Sequence, residues 1–234
     1  MEEALGNDAE ALAEAAFSTV VPALALKQGF AILSRLPLRA TGHLRTLGQQ
    51  LAEVLKAKGD LDFILQLLDT LPEQSVGLAD LAAEMTRYAL NRLKETASDD
   101  GNSIVEIARL TNNLAIMLSE LGQREEALEA AQEAMDLYRE LTRQRPDTFT
   151  PDLARCLDVL GRILQADEPE TAKACFAEGI ETLTPAYLRY PRGLARLMGR
   201  LAKEYLAAVE RMDETPDEAL LGPVVEVFAQ LQKP

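Results

Sequence analysis

Apolar residues recur at helical spacing along almost the whole chain. Leucines three or four positions apart form two such runs, at Leu44, Leu47, Leu51 and Leu55 and at Leu110, Leu114, Leu118 and Leu121. This spacing places apolar side chains on one face of an α-helix, whereas a half-buried strand needs strict alternation. Short breaks rich in proline, glycine and aspartate separate the runs. The pattern predicts roughly ten α-helices joined by short loops, which favour antiparallel neighbours.

The composition also favours an all-α fold. Hydrophobic residues make up 47% of the 234 residues, which is enough to bury a core. Aromatic residues are only 5% and tryptophan is absent, which argues against a β-sandwich or β-barrel. Alanine, leucine, glutamate and arginine are abundant instead, and these residues favour helices.

The charge and the cysteine content restrict the partners and the location. A net charge of −14 repels the phosphates of nucleic acids and anionic lipid headgroups, so neither is an expected partner. The apolar stretch at 15–36 contains Pro22, Lys27 and Arg35 and is too interrupted for a membrane span. The first ten residues are acidic, unlike a secretory signal, and the two cysteines form no CxxC motif. We therefore expect a cytoplasmic protein.

A helix–turn–helix unit is repeated three times in the C-terminal part of the chain. Each unit has an apolar ladder, at Leu114, Leu160 and Leu201, and these ladders are 46 and then 41 residues apart. A second helical segment follows each ladder, and Pro146 and Pro191 are expected to end the first two units. Such repetition is typical of a solenoid, in which each unit packs on its neighbours.

The second unit resembles a tetratricopeptide repeat. Leu160-Gly161 followed by Ala172 and Phe176 matches the Leu-Gly and Ala-x-x-x-Phe core of that family. The sequence of residues 111–128 is similar to the longer, kinesin-light-chain type of repeat. In bacteria, repeats of this type are often joined to signalling proteins. The resemblance implies a right-handed α-solenoid of antiparallel helix pairs. It predicts burial of Leu114, Ala127, Leu160, Gly161, Ala172, Phe176 and Leu201.

The repeats divide the chain into two predicted regions. Residues 103–234 hold the repeats, with expected bounds of 107–146, 153–191 and 194–232. Residues 1–100 form an N-terminal helical region with one degenerate repeat-like unit around Gly59. The polar segment at 98–102 is the expected boundary between the two regions.

The residues that most often carry chemistry do not form a recognisable catalytic or metal-binding motif. His43 is the only histidine and is expected at a surface or a helix cap. Cys156 and Cys175 are expected to be small core residues, with a redox pair as the alternative. Acidic residues at 125–133 recur at one-turn spacing and predict a solvated helix face. We predict no catalytic residue, no metal and no cofactor.

A polar stripe beside the apolar ladder of each first helix is the candidate binding site. In the family that the units resemble, this stripe lines a concave groove that holds an extended peptide. The resemblance therefore implies a peptide-binding role for Arg109, Asn112, Asn113, Arg155, Arg162, Arg196, Arg200 and Lys203. Asp158 lies in the same stripe and argues against it. The alternative is that these cations are ordinary surface residues that balance nearby acids.

These observations predict a non-catalytic protein-interaction module. The expected ligand is a peptide or partner segment that is acidic or ends in a free carboxylate, because charge-assisted hydrogen bonds from arginine and lysine suit carboxylates. One alternative is a sensor or regulatory part of a larger signalling protein. Another is a helical enzyme or small-ligand carrier, for which the sequence offers no motif. The sequence leaves self-association open.

Overall fold

The computed structural model describes residues 61–69, 76–96 and 101–231. All regular structure in these residues is α-helical, which confirms the all-α prediction. His43 and the predicted degenerate unit around Gly59 lie outside the described residues. The described helices are α1 (Leu61–Leu68), α2 (Val76–Thr96), α3 (Gly101–Glu120), α4 (Arg124–Gln144), α5 (Pro146–Leu164), α6 (Pro169–Arg189), α7 (Pro191–Arg211) and α8 (Glu218–Leu231).

The chain forms two compact units. The first consists of Met1–Ser98 and Glu120–Gln123, and the second of Asp99–Ser119 and Arg124–Pro234. In the described part of the first unit, α1 packs on α2. Ile64 of α1 and Met85 and Ala89 of α2 are buried there.

Packing in the second unit follows a repeating order. Each helix from α4 to α7 contacts the next helix in the chain, and α7 contacts α8. In addition, α5 contacts α7 and α6 contacts α8, so first helices lie against first helices and second helices against second helices. This arrangement is an α-solenoid of helix pairs, as the sequence predicted.

Polar contacts between helix pairs show the length of the repeat. Six such contacts join side chains that are 39 to 43 residues apart. The step of 41 residues between Leu160 and Leu201 falls within this range. The contacts are Arg124–Asp167, Arg139–Glu178, Asp147–Arg189, Asp158–Arg200, Gln165–Glu204 and Lys173–Glu214.

Proline marks the starts of three helices rather than the ends of repeats. Pro146, Pro169 and Pro191 are the first residues of α5, α6 and α7. The sequence analysis placed Pro146 and Pro191 at the ends of units, and the structure corrects this. Proline suits the first helical position because its missing N–H would have no partner within the helix there.

The core residues predicted from the sequence are buried, which confirms the register of the apolar ladders. Phe176 and Leu201 are fully buried, and Leu160 is 5% exposed. A methyl group added to Gly161 would lie 2.5 Å from Cε1 of Phe176, so α5 and α6 approach closely only because position 161 is glycine. The remaining predicted core residues, Leu114, Ala127, Gly161 and Ala172, are also buried.

Candidate functional site

The predicted binding residues lie on the first helices of the three pairs. Arg109, Asn112 and Asn113 are on α3, and the other five are on α5 and α7. Arg155 and Arg162 lie on α5, whereas Arg196, Arg200 and Lys203 lie on α7. Because α5 and α7 are in contact, these residues lie on adjacent helices.

Of the three predicted residues on α3, Arg109 already has an ion-pair partner and Asn112 is buried. Asn112 is 5% exposed, and its Oδ1 accepts no hydrogen bond. Nη2 of Arg109 lies 2.6 Å from Oε1 of Glu106, one turn earlier on the same helix. Asn113 is half-buried. The structure therefore leaves Asn113 as the α3 amide that is better placed to reach a ligand.

A buried carboxylate joins α5 to α7. Asp158 has an exposure of 0%, and its Oδ2 lies 2.8 Å from Nε of Arg200 and 3.6 Å from Nε of Arg162. Neither carboxylate oxygen accepts a hydrogen bond of good geometry. The attraction between Asp158 and Arg200 is therefore mainly electrostatic, and it acts across the contact between α5 and α7.

The surroundings of Asp158 oppose its ionisation. Burial raises the pKa of Asp158 above the ordinary range, Arg200 and Arg162 lower that pKa, and Glu204 raises it again. Burial is the largest of these effects, so the pKa remains raised. The positive charge of Arg200 is thus compensated by an internal carboxylate, and the side chain of Arg200 is only 38% exposed.

The two predicted arginines of α5 also have partners. Arg155 forms an ion pair with Asp152 one turn earlier, and Arg162 is the second cation beside Asp158. The guanidinium of Arg155 is about half-exposed, and an exposed pair within one helix stabilises weakly, by a few tenths of a kcal/mol. A ligand carboxylate could therefore compete with Asp152 for Arg155 at small cost.

Three cations on α7 lack the internal partners that the other cations of residues 101–231 have. In the described residues 101–231, every other lysine or arginine has an ion pair, an aromatic ring or a backbone carbonyl as a partner. Arg192, Arg196 and Lys203 are exposed and have none of these. They recur at steps of four and seven, which places them on one helix face. We call these three residues the α7 basic row.

The sequence analysis missed one member of the α7 basic row. Arg192 lies four residues before Arg196, and this spacing was visible in the sequence. The residue was overlooked because it precedes the Leu194-Ala195-Arg196 segment by which the third unit was recognised.

A comparison of the sequence with models of known protein families agrees with the packing in helix pairs. Residues 107–142, which span most of α3 and α4, match the tetratricopeptide repeat family. The chain contains a tetratricopeptide repeat. The match covers the first helix pair, and the pairs α5–α6 and α7–α8 continue the same stacking. No curated protein matches the chain.

Tetratricopeptide repeats indicate a scaffold for protein–protein interaction, and the family is generally non-catalytic. In the described part of the chain, no three histidine, cysteine or acidic residues come together as a metal site would require. None of the described helices is long and apolar enough to cross a membrane.

The two cysteines are buried and unbonded, as predicted for small core residues. Cys156 lies on α5 and Cys175 on α6, so they are on neighbouring helices. Burial raises the pKa of both thiols, which keeps them protonated near neutral pH. A protonated, buried thiol is a poor nucleophile and packs as a small apolar group.

Proposed function

We propose that the second unit is a protein-interaction module and that its α7 basic row binds an acidic segment of a partner protein. The tetratricopeptide repeat supports the general role of an interaction scaffold. The observation that carries the finer proposal is the unpaired state of the exposed cations Arg192, Arg196 and Lys203. In a protein with a net charge of −14, cations that remain without an internal carboxylate can accept one from a partner.

The spacing of the α7 basic row suits an extended peptide. With a rise of about 1.5 Å per residue, Arg192 and Arg196 are roughly 6 Å apart along the helix axis, and Arg196 and Lys203 roughly 10 Å. An extended chain advances about 3.3 Å per residue. Partner carboxylates two residues apart lie on one face of an extended chain and would therefore match the first pair.

The local charge along α7 also favours an acidic ligand. The helix contains no acidic residue before Glu204, and the side-chain amide of Gln165, directly after α5, lies 3.4 Å from the carboxylate of Glu204. On the adjacent helix, Arg155 and Arg162 carry partly exposed guanidinium groups, each beside an acidic residue of the same helix. We propose that the ligand also passes these two side chains, and that a C-terminal carboxylate can take the place of an acidic side chain.

The helices α3 and α4 have 20 and 21 residues, and together they exceed a repeat of about 34 residues, which supports the longer kinesin-light-chain type. The free, buried thiols of Cys156 and Cys175 support the cytoplasm as the place where the module works.

Neutralising the α7 basic row should weaken binding without weakening the fold. The variant Arg196→Ala/Lys203→Ala should bind a glutamate-rich peptide at least about a hundredfold less tightly, because it loses two charge-assisted hydrogen bonds of about 1.5–3 kcal/mol each. Its thermal midpoint should stay close to that of the wild type, because substitutions of exposed cations change stability by about 0.5 kcal/mol or less. Fluorescence anisotropy with a labelled peptide measures the first effect and circular dichroism the second.

Arg143→Ala is the matched control, because Arg143 is an exposed arginine on the second helix α4. It should leave the peptide affinity unchanged. Wild-type affinity should also fall as salt rises above about 0.1 M, where the Debye length is near 10 Å. Equal affinities for the wild type and the double variant would show that the partner binds elsewhere.

A further inference from the structure

A fourth cation of α7 lies beside the α7 basic row but is held by an internal acid. Arg200 follows Arg196 by four residues and precedes Lys203 by three, and residues at this spacing are neighbours on a helix surface. Along the helix axis, Arg200 is about 6 Å from Arg196 and roughly 4.5 Å from Lys203. Position 200 therefore lies in the widest gap of the row, yet the guanidinium of Arg200 is directed to Asp158 of α5.

One carboxylate oxygen is shared by two arginines at this contact. Oδ2 of Asp158 lies 2.8 Å from Nε of Arg200 and 3.6 Å from Nε of Arg162, whereas Oδ1 is buried and has no hydrogen-bond partner. Asp158 has an exposure of 0%, but the side chains of Arg162 and Arg200 are 43% and 38% exposed. A ligand can therefore reach the two cations but not the carboxylate between them.

The charges around Asp158 are balanced. The charged groups that act on Asp158 are Arg162 on its own helix and Arg200 and Glu204 on α7. The carboxylate of Glu204 lies 3.4 Å from the side-chain amide of Gln165. Two positive and two negative charges thus meet where α5 contacts α7. Loss of the charge on Asp158 would leave one positive charge in excess at this place.

The charged form of Asp158 depends on Arg200. Burial raises the pKa of Asp158 by more than the two arginines lower it, and Arg200 is the larger of the two favourable influences. A ligand acid that attracts Arg200 removes this support from Asp158. Conversely, a charged Asp158 opposes movement of Arg200 towards a ligand, because coupling between two binding events is reciprocal.

We propose that Asp158 is an internal counter-ion that competes with the acidic ligand for Arg200 and so limits the affinity of the α7 basic row. The inference rests on the function proposed above and adds the regulation of the same surface. While Asp158 is charged, the ligand contacts Arg192, Arg196 and Lys203. When Asp158 takes up a proton or is replaced by a neutral residue, Arg200 binds a further carboxylate, at the same step of about 6 Å that separates Arg192 from Arg196.

Asp158→Asn tests the competition, because it removes the charge and keeps the size of the side chain. The variant should bind a peptide with alternating glutamates about tenfold more tightly than the wild type, because it gains one charge-assisted hydrogen bond. Adding Arg200→Ala should return the affinity to that of the wild type, because the cation that supplies the gain is lost. Fluorescence anisotropy with a labelled peptide measures affinity, and circular dichroism measures the fold.

Glu140→Gln is the matched control for the change in net charge. It removes one negative charge from α4, where Glu140 lies 2.7 Å from Arg143, and it should bind the peptide like the wild type. Asp158→Ala is the second neutral variant in case Asp158→Asn loses helix content. It should also bind more tightly than the wild type, because alanine offers Arg200 no acceptor.

The gain from Asp158→Asn should disappear at low pH. A peptide with sulfonates in place of carboxylates keeps its charge across this range, and both proteins share all other titrating groups. As pH falls to about 4, below the folded-state pKa of Asp158, the wild type also carries a neutral residue at this position. The ratio of the two affinities should therefore approach one. A ratio that stays constant from about pH 7 to 4 would show that a proton does not release Arg200.

The outcomes separate this inference from the proposed function. Equal or weaker peptide binding by a folded Asp158→Asn would overturn the inference, as would a gain in affinity that survives Arg200→Ala. The proposed function depends instead on the loss of binding in Arg196→Ala/Lys203→Ala, which retains both Asp158 and Arg200. A wild type and an Asp158→Asn variant that both fail to bind acidic peptides would overturn both.

Discussion

Replacing Gly161 with valine should lower the free energy of unfolding of the second unit by about 3 kcal/mol or more. The β-carbon alone would lie 2.5, 2.8 and 2.9 Å from three atoms of the Phe176 ring, which is closer than van der Waals contact permits. Phe176 is fully buried and cannot move aside without displacing other core side chains. Overpacking of this kind typically costs about 1–3 kcal/mol, and the two methyl groups of valine add to it.

The effect of Gly161→Val should be localised to the contact between α5 and α6. Hydrogen exchange of the amides of these helices measures it directly, together with urea unfolding followed by circular dichroism. Gly193→Ala is the control and should stabilise α7 slightly, because a methyl group there meets no atom within 4 Å and alanine is favoured over glycine by about 0.5–1 kcal/mol within a helix. Phe176→Leu in the Gly161→Val background should restore part of the loss. Unchanged exchange protection in Gly161→Val would contradict the assigned packing.

Arg200→Ala should destabilise the second unit by about 3 kcal/mol at neutral pH. The substitution removes the cation 2.8 Å from Asp158 and leaves a fully buried carboxylate with Arg162 at 3.6 Å. Breaking a buried ion pair by removing one partner costs about 3–5 kcal/mol, and the remaining arginine keeps the effect at the lower end. Asp158→Asn in the Arg200→Ala background should recover most of the loss, because the amide carries no charge.

The destabilisation by Arg200→Ala should depend on pH. The folded-state pKa of Asp158 is raised above that of an unfolded carboxyl, near 3.9, so its ionisation penalises the folded state. That penalty is absent below the unfolded pKa and complete above the folded pKa, and removal of Arg200 enlarges it. Urea unfolding should therefore show the variant approaching the wild type in stability as pH falls to about 4. A difference that is constant with pH would assign the loss to packing alone.

The fold was predictable from the sequence because its signals are local and repeated. The spacing of the leucines marked the helices, and Leu160-Gly161 with Ala172 and Phe176 marked a helix pair. Burial of these residues follows from the close approach of α5 and α6 at Gly161. Repetition strengthens the prediction of the fold, because each helix pair must pack against a similar pair about forty residues later, as the contacts between helix pairs show.

The site was less predictable because its properties depend on contacts between helix pairs. Sequence spacing places Asp158 and Arg162 one turn apart, but only the packing of α7 on α5 brings Arg200 to the same carboxylate. A helical face likewise does not show that Asn112 is buried.

A charge-swap titration tests most directly whether the α7 basic row binds an acidic segment. The wild type and the variant Arg196→Glu/Lys203→Glu are each titrated with two labelled peptides that differ only in having glutamate or lysine at the charged positions. The wild type should prefer the glutamate peptide, and the variant should prefer the lysine peptide, because the sign of the contact reverses on both sides. Circular dichroism should show the same helix content in both proteins. If the two proteins bind both peptides with equal affinity, the α7 basic row is not the binding surface.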